Sequence, residues 1–374
     1  MKHLNLTLGV IAAMTFVACS PSKTVDNNQP ATLDLNKNVS AEATAPLAVA
    51  DLSFVQLSND TVDAFFKNAT ILDVAGDTVI LLENNPMASR LIMYSLTDGS
   101  YLGQISHQGQ GPGEYARIIG AFVDGSNGTV LLPDFNTPAV NVYALASDSL
   151  VNVLSREFVP SVITPTGGVE SCINVASPTP DGLDIIQYDR TYAIADSISV
   201  PGFRGGNFST LWLNAGTQGV FMIGDTIYTL TPGELNPIAI APRGDMAITP
   251  DNEDDIMMEL YSGADDIEVL KPYILIRDIQ LSDGKMLITT MTDAKKHSDL
   301  YDLNNGRLIY RNTYQTLDKP SMIVVDGDGH KALQVERLFA KNGRWYGIVS
   351  EDTAGEINGI PTADTNCAIV TFNL

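Results

Sequence analysis

From about residue 50 to its end the chain alternates short β-rich runs with turn residues. Six stretches align: "AGDTVILLE" around Asp77, "SNGTVLLPD" around Gly128, "PDGLDIIQYD" around Gly182, "IGDTIYTLT" around Asp225, "SDGKMLITT" around Gly284 and "KNGRWYGIVS" around Gly343. An apolar run precedes each one, as in "ATILDVA" and "VERLFA". Asn-Gly and Asp-Gly between two such runs are strong hairpin signals, because both central residues tolerate positive φ. Gly-Asp is a weaker form of the same signal. The markers fall 43 to 59 residues apart, and a further strand or two follows most of them, as in "RLIMYSL" then "SYLGQIS". Each repeat is then a four-stranded antiparallel unit, usually hairpin-loop-hairpin. Six such units predict an all-β, six-bladed β-propeller around a central channel.

Two features modify this pattern. The last repeat supplies three strands, ending in "CAIVTFNL", and "LSFVQLS" (Leu52 to Ser58) is expected to complete that blade and close the ring. Between the fourth and fifth repeats, "TPDNEDDIMMELYSGADDIEVL" (Thr249 to Leu270) opens on Thr-Pro with acids in its first turn, which predicts one short inserted helix. Its acids form no D-x-[DN]-x-[DN]-G loop and are expected to complement the helix N-terminus and face solvent.

The chain opens with Lys2, an apolar run from Leu4 to Val17, and Val17-Ala18-Cys19. The run is too short to span a bilayer and reads as a signal peptide over residues 1–18. Its end resembles a bacterial lipoprotein box, which implies lipidation of Cys19. Residues 19–50 hold no aromatic residue and little apolar periodicity, so a flexible tether is expected there, with the propeller over 51–374. The membrane would then be reached only through the lipid. Ser20 after the cysteine fits an outer-membrane lipoprotein of the cell envelope, on its periplasmic or surface face. A single copy is expected.

The formal net charge is −22, from 22 Lys and Arg against 44 Asp and Glu. Bulk charge therefore excludes nucleic acid and anionic lipid as partners. Cys172 and Cys367 could pair in an oxidising compartment, although two buried free thiols are favoured because both sit in apolar runs. The chain has four histidines and no Cys/His cluster with zinc spacing.

"HQGQGPGEY" (His107 to Tyr115) looks at first like a phosphate cradle. A phosphate loop of the G-x-x-x-x-G-K-[ST] type needs a lysine and a following helix, and a dinucleotide loop needs a βαβ unit; neither is here. The glycines suit a sharp crossover between the first two blades, with Pro112 stiffening it. "GQGPGEY" before an apolar strand and hairpin, together with "DTIYTLTPGELNPIAI" (Asp225 to Ile240) and the lipoprotein start, resembles the TolB-like six-bladed propellers of Bacteroidetes envelopes over roughly residues 52–374. That resemblance implies a fold and a compartment, not an activity.

The resemblance also implies a ligand face built from crossover loops and from loops joining second and third strands. Glu114, Tyr115 and Arg117 fall on or near it, as do Arg90, Asp134, Asn136, Lys295 and His297. For Glu114 and Tyr115 a carboxylate bonding loop amides and a ring packed on a glycine turn are equally good readings. Asp73, Asp124, Asp278 and Glu336 lie in or beside predicted inner strands, where carboxylates could converge on a hard cation such as Ca2+; otherwise no cofactor is expected. "RGD" at Arg243 to Asp245 is taken as chance. No G-x-S-x-G elbow or catalytic cysteine motif occurs. The favoured function is a non-catalytic module binding a protein, peptide or glycan. The alternatives are a cation-dependent hydrolase or lyase, or a structural role in an envelope complex.

Overall fold

The computed structural model describes residues 29–35 and 42–374, except residues 67, 86–87, 112, 117, 119–120, 126, 135–137, 156–161, 166–172, 180–181, 202–209, 216–217, 232–233, 316–320, 327–331 and 350–366. The signal peptide, Cys19 and Cys172 therefore lie outside the described residues.

Six sheets form the predicted propeller. From the channel outwards, blade one is Ala69–Ala75, Thr78–Asn85, Ala88–Ser95 and Tyr101–Ile105. Blade two is Phe122–Asp124, Thr129–Pro133, Ala139–Ala144 and Ser149–Ser155. Blade three is Val162–Pro165, Ile173–Thr179, Gly182–Tyr188 and Ile194–Pro201, and blade four is Thr210–Ala215, Gln218–Ile223, Thr226–Thr231 and Glu234–Ile240. Blade five is Leu275–Ser282, Lys285–Thr292, Lys295–Asp302 and Arg307–Tyr314. Blade six joins Leu333–Lys341, Arg344–Val349 and Ala368–Asn373 to an outermost strand, Ala50–Gln56, from the other end of the chain. Val55 pairs with Ile369 and Phe54 with Val370, so the ring closes as expected, with the strand starting two residues earlier than predicted. A short extra strand, Met322–Asp326, pairs with the start of Leu333–Lys341.

The sheets stack face to face because each is apolar on both sides. One apolar cluster fills each of the six interfaces. Ile80 and Leu91 of blade one, for example, meet Val130, Leu132 and Tyr143 of blade two. Leu287 and Leu300 of blade five meet Val335, Trp345 and Phe372 of blade six. Burial of this kind stabilises by roughly 25 cal/mol per Å² of apolar surface.

A second repeat sets the phase of the blades. Each third strand carries an aromatic residue beside a slip in its outer ladder: Tyr94, Tyr143, Tyr188, Tyr228, Tyr301 and Phe372. Measured from this residue, the marked turns of blades three and four join second to third strands, whereas the other four join first to second. Asp-Gly and Gly-Asp report a tight two-residue turn wherever one occurs, not a position in the blade.

The expected tether is corrected. Ala31–Thr32 adds a parallel strand to the outer edge of blade four, pairing with Ala239 and Ile240. Leu33 is fully buried and Leu35 nearly so, in the cluster between blades four and five. Leu47–Ala48 pairs with Val325 and Asp326. "TLDL" has the period-2 alternation of a half-buried strand, which the lack of aromatics obscured. The inserted helix forms where expected, and a second short helix follows it: α1 (Pro250–Tyr261) and α2 (Asp266–Leu270), separated at Gly263 with φ +88°. The Asn252 side chain accepts from the Thr249 N–H at 2.8 Å and caps α1. Glu253 is buried, against the expectation that all the acids face solvent. Among the described residues no helix is long and apolar enough to cross a membrane.

Candidate functional site

Most of the predicted binding-face residues hold the backbone in place. In the glycine crossover, the Gly111 N–H donates to Glu114 Oε2 at 2.7 Å, Gly109 N–H to the Tyr115 carbonyl at 2.9 Å, and Tyr115 N–H to the His107 carbonyl at 3.0 Å. The Tyr115 ring is fully buried. Its hydroxyl donates to the Ser89 carbonyl at 2.9 Å and accepts from His107 N–H at 3.1 Å. Burial pushes that phenol up to about 12. Asp134, also buried, accepts from Ala116 N–H at 3.1 Å. The Tyr143 hydroxyl donates to the Gly113 carbonyl, and the His107 ring stacks on Tyr143 with centroids 5.2 Å apart. Glu114, Tyr115 and Asp134 are thus spent on the loop; Arg117 and Asn136 lie outside the described residues.

Arg90 belongs to a similar arrangement. It donates to Glu83 at 2.8 Å, to Gln104 at 2.7 Å, to the Asp63 carbonyl at 2.9 Å and to the Phe65 carbonyl. The Tyr94 hydroxyl takes the Ala64 carbonyl of the same segment. Blade five repeats the device on the docked N-terminal segment. Arg311 is held by Asp299 through two bonds, 2.6 and 2.5 Å, and donates to the Leu35 carbonyl at 3.0 Å. The Tyr301 hydroxyl donates to the Asp34 carbonyl at 3.1 Å. Gly306 lets this segment pass, since a Cβ there would sit 2.3 Å from the Thr32 carbonyl oxygen, at a φ of +68°. In blades one, two and five the third-strand tyrosine therefore latches an incoming segment by its carbonyl.

The four carboxylates proposed for a cation do not assemble. Asp73 is bound by Lys341 Nζ at 2.6 Å and by Val74 N–H at 2.7 Å. Burial raises its pKa, and Lys341 opposes the shift. Asp124 accepts from Asn127 N–H at 3.3 Å and Nδ2 at 2.8 Å, closing its own hairpin. Glu336 accepts from Gln334 at 3.0 Å. Among the described residues no three His, Cys, Asp or Glu side chains converge as a metal site would require. An acid a few residues before a turn serves that turn, and Asp124 does so. In "RGD", taken as chance, Arg243 is buried, with Nε 2.9 Å from Asp225 Oδ1 and Nη2 on the Gly224 carbonyl at 2.8 Å. Cys367 is a free thiol, pushed by burial up to about 12.

The site that the strands do build is a cleft of about 340 Å³ at the channel, where blades five, six and one meet. Arg277, Asp278, Gln280, Thr289 and Lys296 line it from blade five, Thr70 and Ile71 from blade one, and Ser321, Arg337 and Leu338 from the blade-six side. The inner strands of these three consecutive blades all carry a bulge, between Ile71 and Asp73, Ile276 and Asp278, and Glu336 and Phe339. A bulge adds one residue to one strand and re-aims its side chain. Arg277 and Arg337 are bulge residues, and Arg337 holds a φ of +53°. Burial lowers the pKa of both guanidiniums, the mark of partly desolvated charge.

Arg337 also donates to the Ala69 carbonyl and, at 3.2 Å, to Asn68 Oδ1. Asp278 accepts from the Ser321 hydroxyl at 2.8 Å and Gln280 at 3.2 Å, and burial raises its pKa. Lys296 and Arg277 continue into a second hollow of about 330 Å³ against α2. Strand alternation aims Lys296 at the cleft. The predicted neighbours are instead placed elsewhere: Lys295 lies 3.9 Å from Asp293, and His297 Nδ1 lies 2.9 Å from Thr313 Oγ1. The signal available in the sequence was an arginine beside an acid inside an apolar inner strand, in "LIRDIQ" and "VERLFA".

Residues 32–167 match a family model, DUF5128, described as a 6-bladed beta-propeller. The match begins inside the docked N-terminal segment. The fold is similar to that of a Bacteroides fragilis protein whose name gives it as exported, at 16% identity and a TM-score of 0.63, covering 92% of this chain and 99% of that one. It is also similar to a member of the duf4221 family from Bacteroides vulgatus, at 11% identity and a TM-score of 0.53, covering 89% and 98%. No curated protein matches the chain.

Proposed function

We propose that this chain is an exported, lipid-anchored, non-catalytic binding propeller that takes a protein, peptide or glycan of the cell envelope at the mouth between blades five, six and one. The observation that carries this is the cleft itself, with three consecutive inner strands bulged around it. Propellers host many functions, so the site and not the fold supports the proposal. Export is supported by the Lys2-led apolar start and by the similar Bacteroides protein named as exported. Lipidation at Cys19, outer-membrane residence, kinship with TolB-like envelope propellers and action as a single copy belong to the same proposal. Neither a cofactor nor nucleic acid has a part in it.

The test uses glycan and peptide arrays probed with the full-length protein and with Thr70→Trp. Thr70 is exposed at the cleft wall, so an indole there fills the mouth without altering its charge. A ligand retained by the wild type and lost by Thr70→Trp supports the site. Ligands held equally by both would place binding elsewhere. Cys19→Ala should move the protein from the membrane to the soluble fraction of cells; continued membrane residence would refute the lipid anchor.

A further inference from the structure

We infer that the part of the ligand held in this cleft is an oxyanion, a carboxylate or phosphate carried on a sugar-sized polar molecule; the inference rests on the binding proposal and names its chemistry. The chain carries twice as many acids as bases. Against that background its cleft is lined by three cations, Arg277, Lys296 and Arg337, and one carboxylate, Asp278. Asp278 already accepts two hydrogen bonds from Ser321 and Gln280. Glu336, next to Arg337 in sequence, is hydrogen-bonded to Gln334 and does not line the cleft.

The cations differ from the other arginines in how the backbone presents them. Arg90, Arg243 and Arg311 are each paired with a carboxylate inside the fold at 2.5 to 2.9 Å. Arg277 and Arg337 occupy bulges, local departures from the ladder that concentrate beside binding sites, and both border the cleft. A guanidinium presents a planar fork that matches carboxylate or phosphate oxygens, and its light hydration lets it work partly desolvated. Thr70 adds an exposed hydroxyl to the cleft, suited to the alcohols of a sugar. A space of about 340 Å³ lies at the small end of the range for ligand pockets. It fits one ring bearing an acidic group, not a folded partner.

The experiment is titration calorimetry of the full-length protein in detergent at low salt, with glucuronate, glucose 6-phosphate and glucose. The three share a ring and differ in the group it carries, so they separate carboxylate from phosphate and charge from ring. At least one anionic sugar should bind about tenfold or more tightly than glucose. Arg277→Gln and Lys296→Gln should each weaken it by about tenfold, Lys296→Arg should retain binding, and Lys295→Gln should leave it unchanged. Thermal melts of each variant check that the fold is intact. Equal binding of all three sugars, or anion binding indifferent to both Gln substitutions, would overturn the inference. If the anions fail while Thr70→Trp still abolishes an array ligand, the binding proposal stands and the oxyanion is wrong. If both fail, both are wrong.

Discussion

Two sets of arginines in this propeller do opposite work. At the rim, Arg90 and Arg311 are tied to carboxylates and to the carbonyls of segments that arrive from elsewhere in the chain. At the channel mouth, Arg277 and Arg337 stand on bulges and border a cleft. The rim set pairs with buried carboxylates and closes the structure; the mouth set borders a concave surface. An arginine's meaning therefore lies in what surrounds its guanidinium, not in its exposure along the sequence.

The sharpest way to break this comparison is to delete one arginine from each set. Arg311→Ala leaves Asp299 buried and uncompensated and should cost about 3–5 kcal/mol in urea denaturation. Arg277→Ala should cost less, about 1 kcal/mol or under, because its side chain is more exposed than that of Arg311. Equal losses would abolish the distinction. Leu33→Ala comes next, at about 2–4 kcal/mol, because it opens a cavity between blades four and five. A free tether at that position would show no change.

The three latching tyrosines sharpen the rim side. Tyr94→Phe, Tyr143→Phe and Tyr301→Phe each remove one hydroxyl that donates to a carbonyl. Each should cost about 0.5–1.5 kcal/mol, and the Tyr94 and Tyr301 losses should add, since their latches sit on separate blades. Amide exchange should quicken in the latched segment of each variant and not in the others. A uniform change across all three segments would show that the latches act as one unit.

The architecture was legible because two-residue turns and alternating runs are local events. Blade number and the closing strand at Ala50–Gln56 follow from them, and the insertion after blade four from an equally local Thr-Pro helix start. Blade phase was not, because Asp-Gly marks any tight hairpin; the aromatic on each third strand carries that information through packing across blade interfaces. Glu114 and Tyr115 drew attention because glycines and an acid cluster in one loop, yet such clustering is what a tight crossover needs for itself. Arg277 and Arg337 were missed for the converse reason. A bulge is a property of a pair of strands, and one strand's sequence does not reveal that its partner is a residue short. The docked Leu33 was lost among polar neighbours, since two apolar residues carry little periodic signal.

Asp278 offers the smallest and most specific test at the mouth. Burial raises its carboxyl above the ordinary value of 3.8, against the hydrogen bonds from Ser321 and Gln280. A carboxyl raised by folding binds more protons in the folded state than in the unfolded chain. Its contribution to stability is complete below the unfolded value and is lost as pH rises through the folded one. Asn at this position keeps the size and does not titrate. Wild type should therefore compare better with Asp278→Asn at about pH 4 than at about pH 7, read as the difference in urea midpoint at each pH. The reverse trend would mean that hydrogen bonds and nearby cations stabilise the Asp278 charge more than burial penalises it, and the mouth would then be a closed ion-pair network.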